Sequence, residues 1–254
     1  MDSFDTLQHF AGTQPSTLLA IFGVLVVAYA IFSLMGFGTA LFASTPLAWA
    51  LPVAQVVPLL AMLDGVGAMQ RGYRARHEVD IATLRRLLPG MLLGQMLGVG
   101  LLAVLPLKLT ATLLGGFVMT YGAWSLRAPR LAPPSAKLAW ACGGFGGVLG
   151  GMFGSGGFVY AAYLQARLPS RDVFRATQAV MISVSTLWRI ALCAMSGLID
   201  LRLVATAALL LPAVYLGNAV GHLADSRLSA DGFRRGLNAL LIASGLALVL
   251  KAVG

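Results

Sequence analysis

The chain has 254 residues, of which 58% are hydrophobic and only 11% are charged, and its net charge is +9. A soluble domain carries about 25% charged residues, so this chain has too few charges to cover a surface that faces water. The composition excludes a soluble enzyme or regulator and indicates a protein embedded in a lipid bilayer. Most of the basic residues lie in short loops between apolar segments, where they set orientation and contact lipid headgroups. We therefore expect no nucleic acid partner.

Eight apolar segments are long enough to cross a bilayer as helices, at about 20 residues per span. In chain order they cover residues 17–35, 53–69, 87–105, 109–127, 138–154, 174–195, 203–222 and 235–252. The sequence thus predicts an all-α polytopic membrane protein with about eight transmembrane helices.

The two halves of the chain align with each other at an offset of 123 residues. Before residue 50 the alignment needs gaps, and the glycine breaks Gly36–Gly38 and Gly154–Gly156 match at an offset of 118 residues. LLPGMLLGQMLG at Leu87–Gly98 matches LLPAVYLGNAVG at Leu210–Gly221, with proline, glycine and amide positions in register. This match predicts a duplication, with a tail over 1–16, a first four-helix repeat over 17–127, a linker over 128–137 and a second repeat over 138–254. Such repeats are typical of secondary transporters, whose substrate site lies near the midplane between the halves.

Glycines interrupt the first helix of each predicted repeat. Residues 6–63 carry no charge, and this stretch is longer than two spans and a turn require. We predict that the excess forms a broken or re-entrant helix. In the second repeat, Gly143–Gly151 is interpreted as a helix-packing face, and the residues after it as the end of one half-helix and the start of another. A half-helix N-terminus binds anions through its free N–H groups, although a plain kink is the alternative. The candidate anion-binding residues at the two breaks are Gly36, Gly38, Thr39, Gly154, Ser155, Gly156 and Gly157.

These features resemble the TauE/SafE family of sulfite exporters. The resemblance rests on FGSGG at Phe153–Gly157 followed by LPSRDVFRATQAV at Leu168–Val180, and it extends over nearly the whole chain. The first half departs from the pattern, since Ala54 stands where the second half has Thr177. The resemblance implies a multi-pass transporter of the bacterial inner membrane that moves small sulfur-containing anions, such as sulfite or organosulfonates, with protons as the coupling ion.

Polar residues inside the predicted spans are further candidates. Gln55 and Gln178 occupy equivalent positions of the repeat, and with Thr177 they are predicted to contact the substrate; hydrogen bonding between helices is the alternative. Asp64 and Arg189 are charges within spans, and such residues are functional hypotheses by default. We predict that Arg189 holds the anion and that Asp64 couples transport to protons. Snorkelling of both side chains to the membrane surface is the alternative.

The sequence contains no combination of residues that indicates catalysis. We find no nucleophile–base set, no nucleotide-binding loop and no paired metal-ligand spacing, and we predict no enzymatic activity, no cofactor and no metal. The favoured interpretation is a secondary transporter of small anions that works by alternating access. A non-transporting membrane scaffold or assembly factor, and an anion channel, are the alternatives that the sequence leaves open.

Overall fold

The computed structural model describes residues 15–35, 39–75, 78–127, 135–168 and 170–224, with short pieces between 242 and 250. Residues 1–14 of the predicted tail, Gly36 and Gly38, most of the linker and most of the eighth predicted span lie outside these described residues. Within the described part the structure is helical and contains no strand. The helices are α1 (Pro15–Met35), α2 (Thr39–Ala50), α3 (Val53–Ala75), α4 (Ile81–Val104), α5 (Leu107–Arg127), α6 (Ala136–Phe153), α7 (Gly157–Arg167), α8 (Arg171–Met195) and α9 (Leu201–Ala224).

The first seven predicted spans each coincide with one of these helices. Among the described residues, the helical segments long and apolar enough to cross a membrane are Ser16–Ser33, Ile81–Val104, Asp172–Met195 and Leu201–Gly221. Val53–Val66 and Leu107–Thr120 are shorter apolar helices. The structure is thus consistent with a polytopic membrane protein, and the total of eight spans stays a prediction.

Helix α4 begins at Ile81, six residues before the predicted start of its span. Asp80 caps the helix, because its side chain accepts a hydrogen bond of 2.8 Å from the Thr83 amide. The exposed residues Arg85 and Arg86 therefore belong to the helix. The predicted span was limited to uncharged residues and began after these two arginines, so it left out the first turns of α4.

The described helices fall into two compact units. Unit 1 contains α1, α2, the start of α3 up to Leu59, α5 and α9. Unit 2 contains the rest of α3, from Leu60, and α4, α6, α7 and α8. Each unit draws helices from both halves of the sequence.

Glycines allow a very close contact between α4 and α6 in unit 2. A Cβ atom at Gly147 would lie 2.5 Å from the Met91 carbonyl oxygen, and one at Gly151 would lie 2.7 Å from the Gln95 carbonyl oxygen. Because any side chain at these positions would meet backbone, the two helices pack at this distance only with glycine there. The predicted packing face over Gly143–Gly151 is confirmed.

A similar contact joins α1 to α9 in unit 1. A Cβ atom at Gly217 would lie 2.5 Å from the Val26 carbonyl oxygen, and one at Gly221 would meet the carbonyl oxygen of Ala30. In each unit, therefore, glycines in one helix approach the backbone of a helix from the other half of the sequence.

The glycine break of the second predicted repeat is present. Helix α6 ends at Phe153, and Gly154 adopts a left-handed conformation with φ of 71°. Its amide donates to the Gly150 carbonyl oxygen, and the Ser155 amide donates to the Leu149 carbonyl oxygen, which closes the helix end. Helix α7 then begins at Gly157. The chain thus changes direction through residues 154–156, within unit 2.

Candidate anion-binding site

A buried arginine lies at the centre of a polar cluster in unit 2. Arg189 of α8 is 3% exposed, and its Nη2 atom lies 3.6 Å from Oδ2 of Asp64, a residue of α3 that is 8% exposed. Its Nη1 atom donates a 3.2 Å hydrogen bond to the Gly150 carbonyl oxygen. Its Nε atom is buried and has no hydrogen-bond partner among the described residues. The guanidinium thus retains a donor that an anionic ligand would satisfy.

The end of α6 brings a buried amide next to this arginine. Gln95 of α4 is fully buried, and its Nε2 atom lies 2.7 Å from the Ser185 hydroxyl. A Cβ atom at Gly150 would lie 3.1 Å from Gln95 Nε2. Because Gly150 also accepts from Arg189, it connects the amide and the guanidinium through one backbone position. The Gln95 Oε1 atom has no hydrogen-bond partner within the described part of the chain.

A tyrosine hydroxyl faces the glycine break from α7. Tyr160 is fully buried, and a Cβ atom at Gly156 would lie 2.9 Å from its hydroxyl oxygen. That hydroxyl lies close to Ser185 of α8, although the two do not reach strict hydrogen-bond geometry. Since Gly146 also contacts the tyrosine ring, glycines on both sides of the break give the ring its space.

A second buried amide contacts the start of α7. Gln178 of α8 is buried, and its Nε2 atom donates a 2.9 Å hydrogen bond to the Gly157 carbonyl oxygen. Its Oε1 atom has no partner in the described ranges. Gln178, Ser185 and Arg189 lie on one face of α8, because their spacings of seven and four residues are close to whole helical turns. This buried face of α8 carries polar groups along the glycine break.

Comparison with known proteins identifies the family. The family described as "Sulfite exporter TauE/SafE" matches residues 20–248 of the chain. The chain belongs to the TauE/SafE family. It is therefore a membrane transporter and not an enzyme.

One curated relative supports membership of the TauE/SafE family. It is the "Probable inner membrane transporter protein TsaS" of Comamonas testosteroni, which is 32% identical over 199 residues, covering 75% of this chain and 81% of the relative. No solved structure matches the chain.

The TauE/SafE site predicted from the sequence divides between the two units. Asp64 and Arg189 form an ion pair in unit 2, and Gln178 contacts Gly157 there. Thr39 is buried at the start of α2 in unit 1. Gln55 is exposed in unit 1, whereas Gln178 is buried, so the two amides differ in environment despite their equivalent positions in sequence.

Two further predicted residues make local contacts. The Thr177 hydroxyl accepts a 3.0 Å hydrogen bond from the Asp80 amide, which joins α8 to the start of α4. The Ser155 hydroxyl donates to the Phe153 carbonyl oxygen across the break. Both side chains therefore have a structural partner, and their predicted contact with substrate stays a prediction.

The residues predicted from the sequence do not include Gln95 or Tyr160. Gln95 matches Asn218 in the other half and lies between glycines, a pattern typical of helix packing. Tyr160 matches Phe42 at the offset of 118 residues that relates the two glycine breaks. A hydroxyl in one half, where the other half has an apolar residue, is the feature of the sequence that could have indicated Tyr160.

Proposed function

We propose that this TauE/SafE member is a proton-coupled secondary transporter of small oxyanions, most simply sulfite or organosulfonates, in the inner membrane. The observation that carries the proposal is the buried guanidinium of Arg189, whose Nε donor has no partner among the described residues while Asp64 lies 3.6 Å away. The relative from Comamonas testosteroni, described as a probable inner membrane transporter, supports the inner membrane as the location.

Charge balance links the anion to a proton in this proposal. Arg189 and Asp64 together carry no net charge when both are ionised, and they are buried. An anion that binds Arg189 would leave one uncompensated negative charge in a medium where such a charge is costly. Protonation of Asp64 restores neutrality. Each monovalent anion is therefore expected to move with one proton.

The proposed site draws on both halves of the sequence. Asp64 and Gln95 come from the first half, and Gly150 and Arg189 come from the second, and all four lie in unit 2. We infer that alternating access opens this cluster to each side of the membrane in turn, with the glycine break between α6 and α7 as the point of bending. The break between α6 and α7 is compatible with this role, because irregular backbone is tolerated at membrane depth only where protein or a wet cavity surrounds it.

We further infer that the eight predicted spans are two homologous repeats. The close contact of Gly217 with Val26 in unit 1 has a counterpart in the contact of Gly94 with Gly144 in unit 2. Gly217 matches Gly94 at the offset of 123 residues between the halves. Gly144 matches Val26 at the offset of 118 residues that relates the two glycine breaks. The contact of Gly221 with Ala30 corresponds in the same way to that of Gly98 with Val148. Matching contacts of matching residues support a duplication.

Flux measurements in proteoliposomes test the function. Wild-type protein should accumulate radiolabelled sulfite or a labelled sulfonate when a pH gradient is imposed. Asp64→Asn should exchange the anion across the membrane without accumulation in response to the gradient, because it cannot change its charge. Arg189→Gln should lose both activities.

Arg202→Gln, which removes an exposed arginine of α9, is the matched control and should transport normally. Wild-type flux that is independent of pH, or normal flux in Arg189→Gln, would contradict the proposal.

A further inference from the structure

The chemistry of the glycine break constrains what the transported anion must carry besides its charge. Arg189 binds the end of α6 through the Gly150 carbonyl oxygen, and Gln178 binds the start of α7 through the Gly157 carbonyl oxygen. The two ends meet, since a Cβ atom at Gly150 would lie 3.7 Å from Cα of Gly156. The two side chains therefore border the same break.

The orientation of the Gln178 amide is fixed by its partner. A backbone carbonyl only accepts hydrogen bonds, so the nitrogen of the amide must face Gly157 and the oxygen must face away. The orientation of the Gln95 amide is not fixed in this way, because its partner, the Ser185 hydroxyl, can both donate and accept a hydrogen bond. Gln178 Oε1 is thus an acceptor of known direction, buried and without a partner among the described residues.

A simple anion cannot satisfy both unpartnered groups. The Nε atom of Arg189 is a donor and calls for an anionic oxygen, whereas the Oε1 atom of Gln178 is an acceptor and repels one. Buried polar groups in folded proteins are nearly always hydrogen-bonded. A ligand that contacts both side chains must therefore present a donor to Gln178 as well as an oxyanion to Arg189.

The geometry points to a substrate that is an oxyanion with a hydrogen-bond donor of its own, such as a hydroxyl or an amine. This inference rests on the proposed function, since it names the substrate class of the same site. Gln178 is then the residue that selects for the donor. A site built to hydrogen-bond a substrate hydroxyl strongly rejects the analogue that lacks it, because the protein group is left unpaired.

The experiment compares two sulfonates that differ in a single hydroxyl. Ethanesulfonate and 2-hydroxyethanesulfonate are supplied to wild-type proteoliposomes under a pH gradient, and kcat/KM is measured for each. The hydroxylated compound should be preferred by at least about tenfold. Gln178→Met, which keeps the side-chain length and removes the acceptor, should bring the ratio close to one while ethanesulfonate is still transported. Gln165→Met, at an exposed glutamine of α7, should keep the wild-type ratio.

The outcomes separate this inference from the proposed function. Equal, pH-driven transport of both sulfonates by the wild type would overturn the inference and leave the proposed function standing. A preference that persists in Gln178→Met would also overturn it. If neither sulfonate nor sulfite moves with the gradient, both the function and the substrate class fail. Should the methionine variant not fold, the wild-type ratio alone decides the matter.

Discussion

Replacing Asp64 with asparagine should destabilise the protein in a way that an added anion repairs. The substitution keeps the shape of the side chain and removes the counter-ion 3.6 Å from Arg189. Two unit charges at that distance interact by about 5 kcal/mol at an effective dielectric constant of about 20. Arginine cannot lose its proton inside a protein, so its charge stays buried and uncompensated. We expect a loss of about 3–5 kcal/mol in the free energy of unfolding.

The assay is thermal unfolding of the purified protein in detergent, with and without sulfite. A chain of this size loses about 2–4 °C of melting temperature for each kcal/mol, so Asp64→Asn should melt roughly 10 °C below the wild type. Sulfite at about 100 times its dissociation constant adds about 2.7 kcal/mol to a protein that binds it. The variant should therefore recover more than half of its loss. At the same sulfite concentration its gain should exceed that of the wild type, because no carboxylate competes for Arg189.

The matched control is Asp172→Asn, which removes an exposed carboxylate from the first turn of α8. Its effect on the helix dipole should stay below about 1 kcal/mol, with no response to sulfite beyond that of the wild type. Two results would refute the reasoning: an Asp64→Asn protein that melts like the wild type, or equal stabilisation of variant and wild type by sulfite. Either would mean that Asp64 is not the counter-ion that an incoming anion replaces.

Three further predictions concern the scaffold of the site, and each is checked by thermal unfolding. Gly151→Ala would place a Cβ atom 2.7 Å from a backbone oxygen of α4 and should lower the free energy of unfolding by about 1–3 kcal/mol. Gly100→Ala, with nothing within 4 Å of the new Cβ atom, should be neutral or stabilising. Equal effects of the two substitutions would contradict the close contact between α4 and α6. Asp80→Ala removes the cap of α4 and should cost about 1 kcal/mol, without altering the ratio of transport rates for two sulfonates. Gly154→Ala forces a left-handed conformation on a residue with a side chain and should cost about 1–2 kcal/mol, and Gly154→Asn should cost less.

Much of the helical framework follows from the sequence because apolar segments of membrane length have few alternatives to a helix. The break at Gly154 was also predictable, since glycines grouped at the end of an apolar segment favour a helix end there. The pairing of Asp64 with Arg189 follows from charge scarcity: in so apolar a chain, two buried opposite charges are most stable together. The roles of these two residues in transport stay predictions.

The rest depends on tertiary contacts that periodicity does not contain. Gln55 and Gln178 occupy equivalent positions in sequence, yet one is exposed and the other is buried against Gly157. Gln95 looks like a packing residue until α6 brings Gly150 beside it. A repeat in the sequence indicates which positions are related, and it does not say which of the two copies will keep the polar chemistry.

The glycine contact between α1 and α9 has a consequence for how the protein is made. Helix α1 ends at Met35, and its partner in unit 1 begins only at Leu201. Synthesis proceeds at about 5–20 residues per second, so roughly 10–30 s pass between the synthesis of α1 and that of the helix that packs against it. Unit 1 cannot form its complete packing during that interval. Until α9 is made, the face of α1 that later packs against Gly217 and Gly221 contacts lipid or the insertion machinery instead.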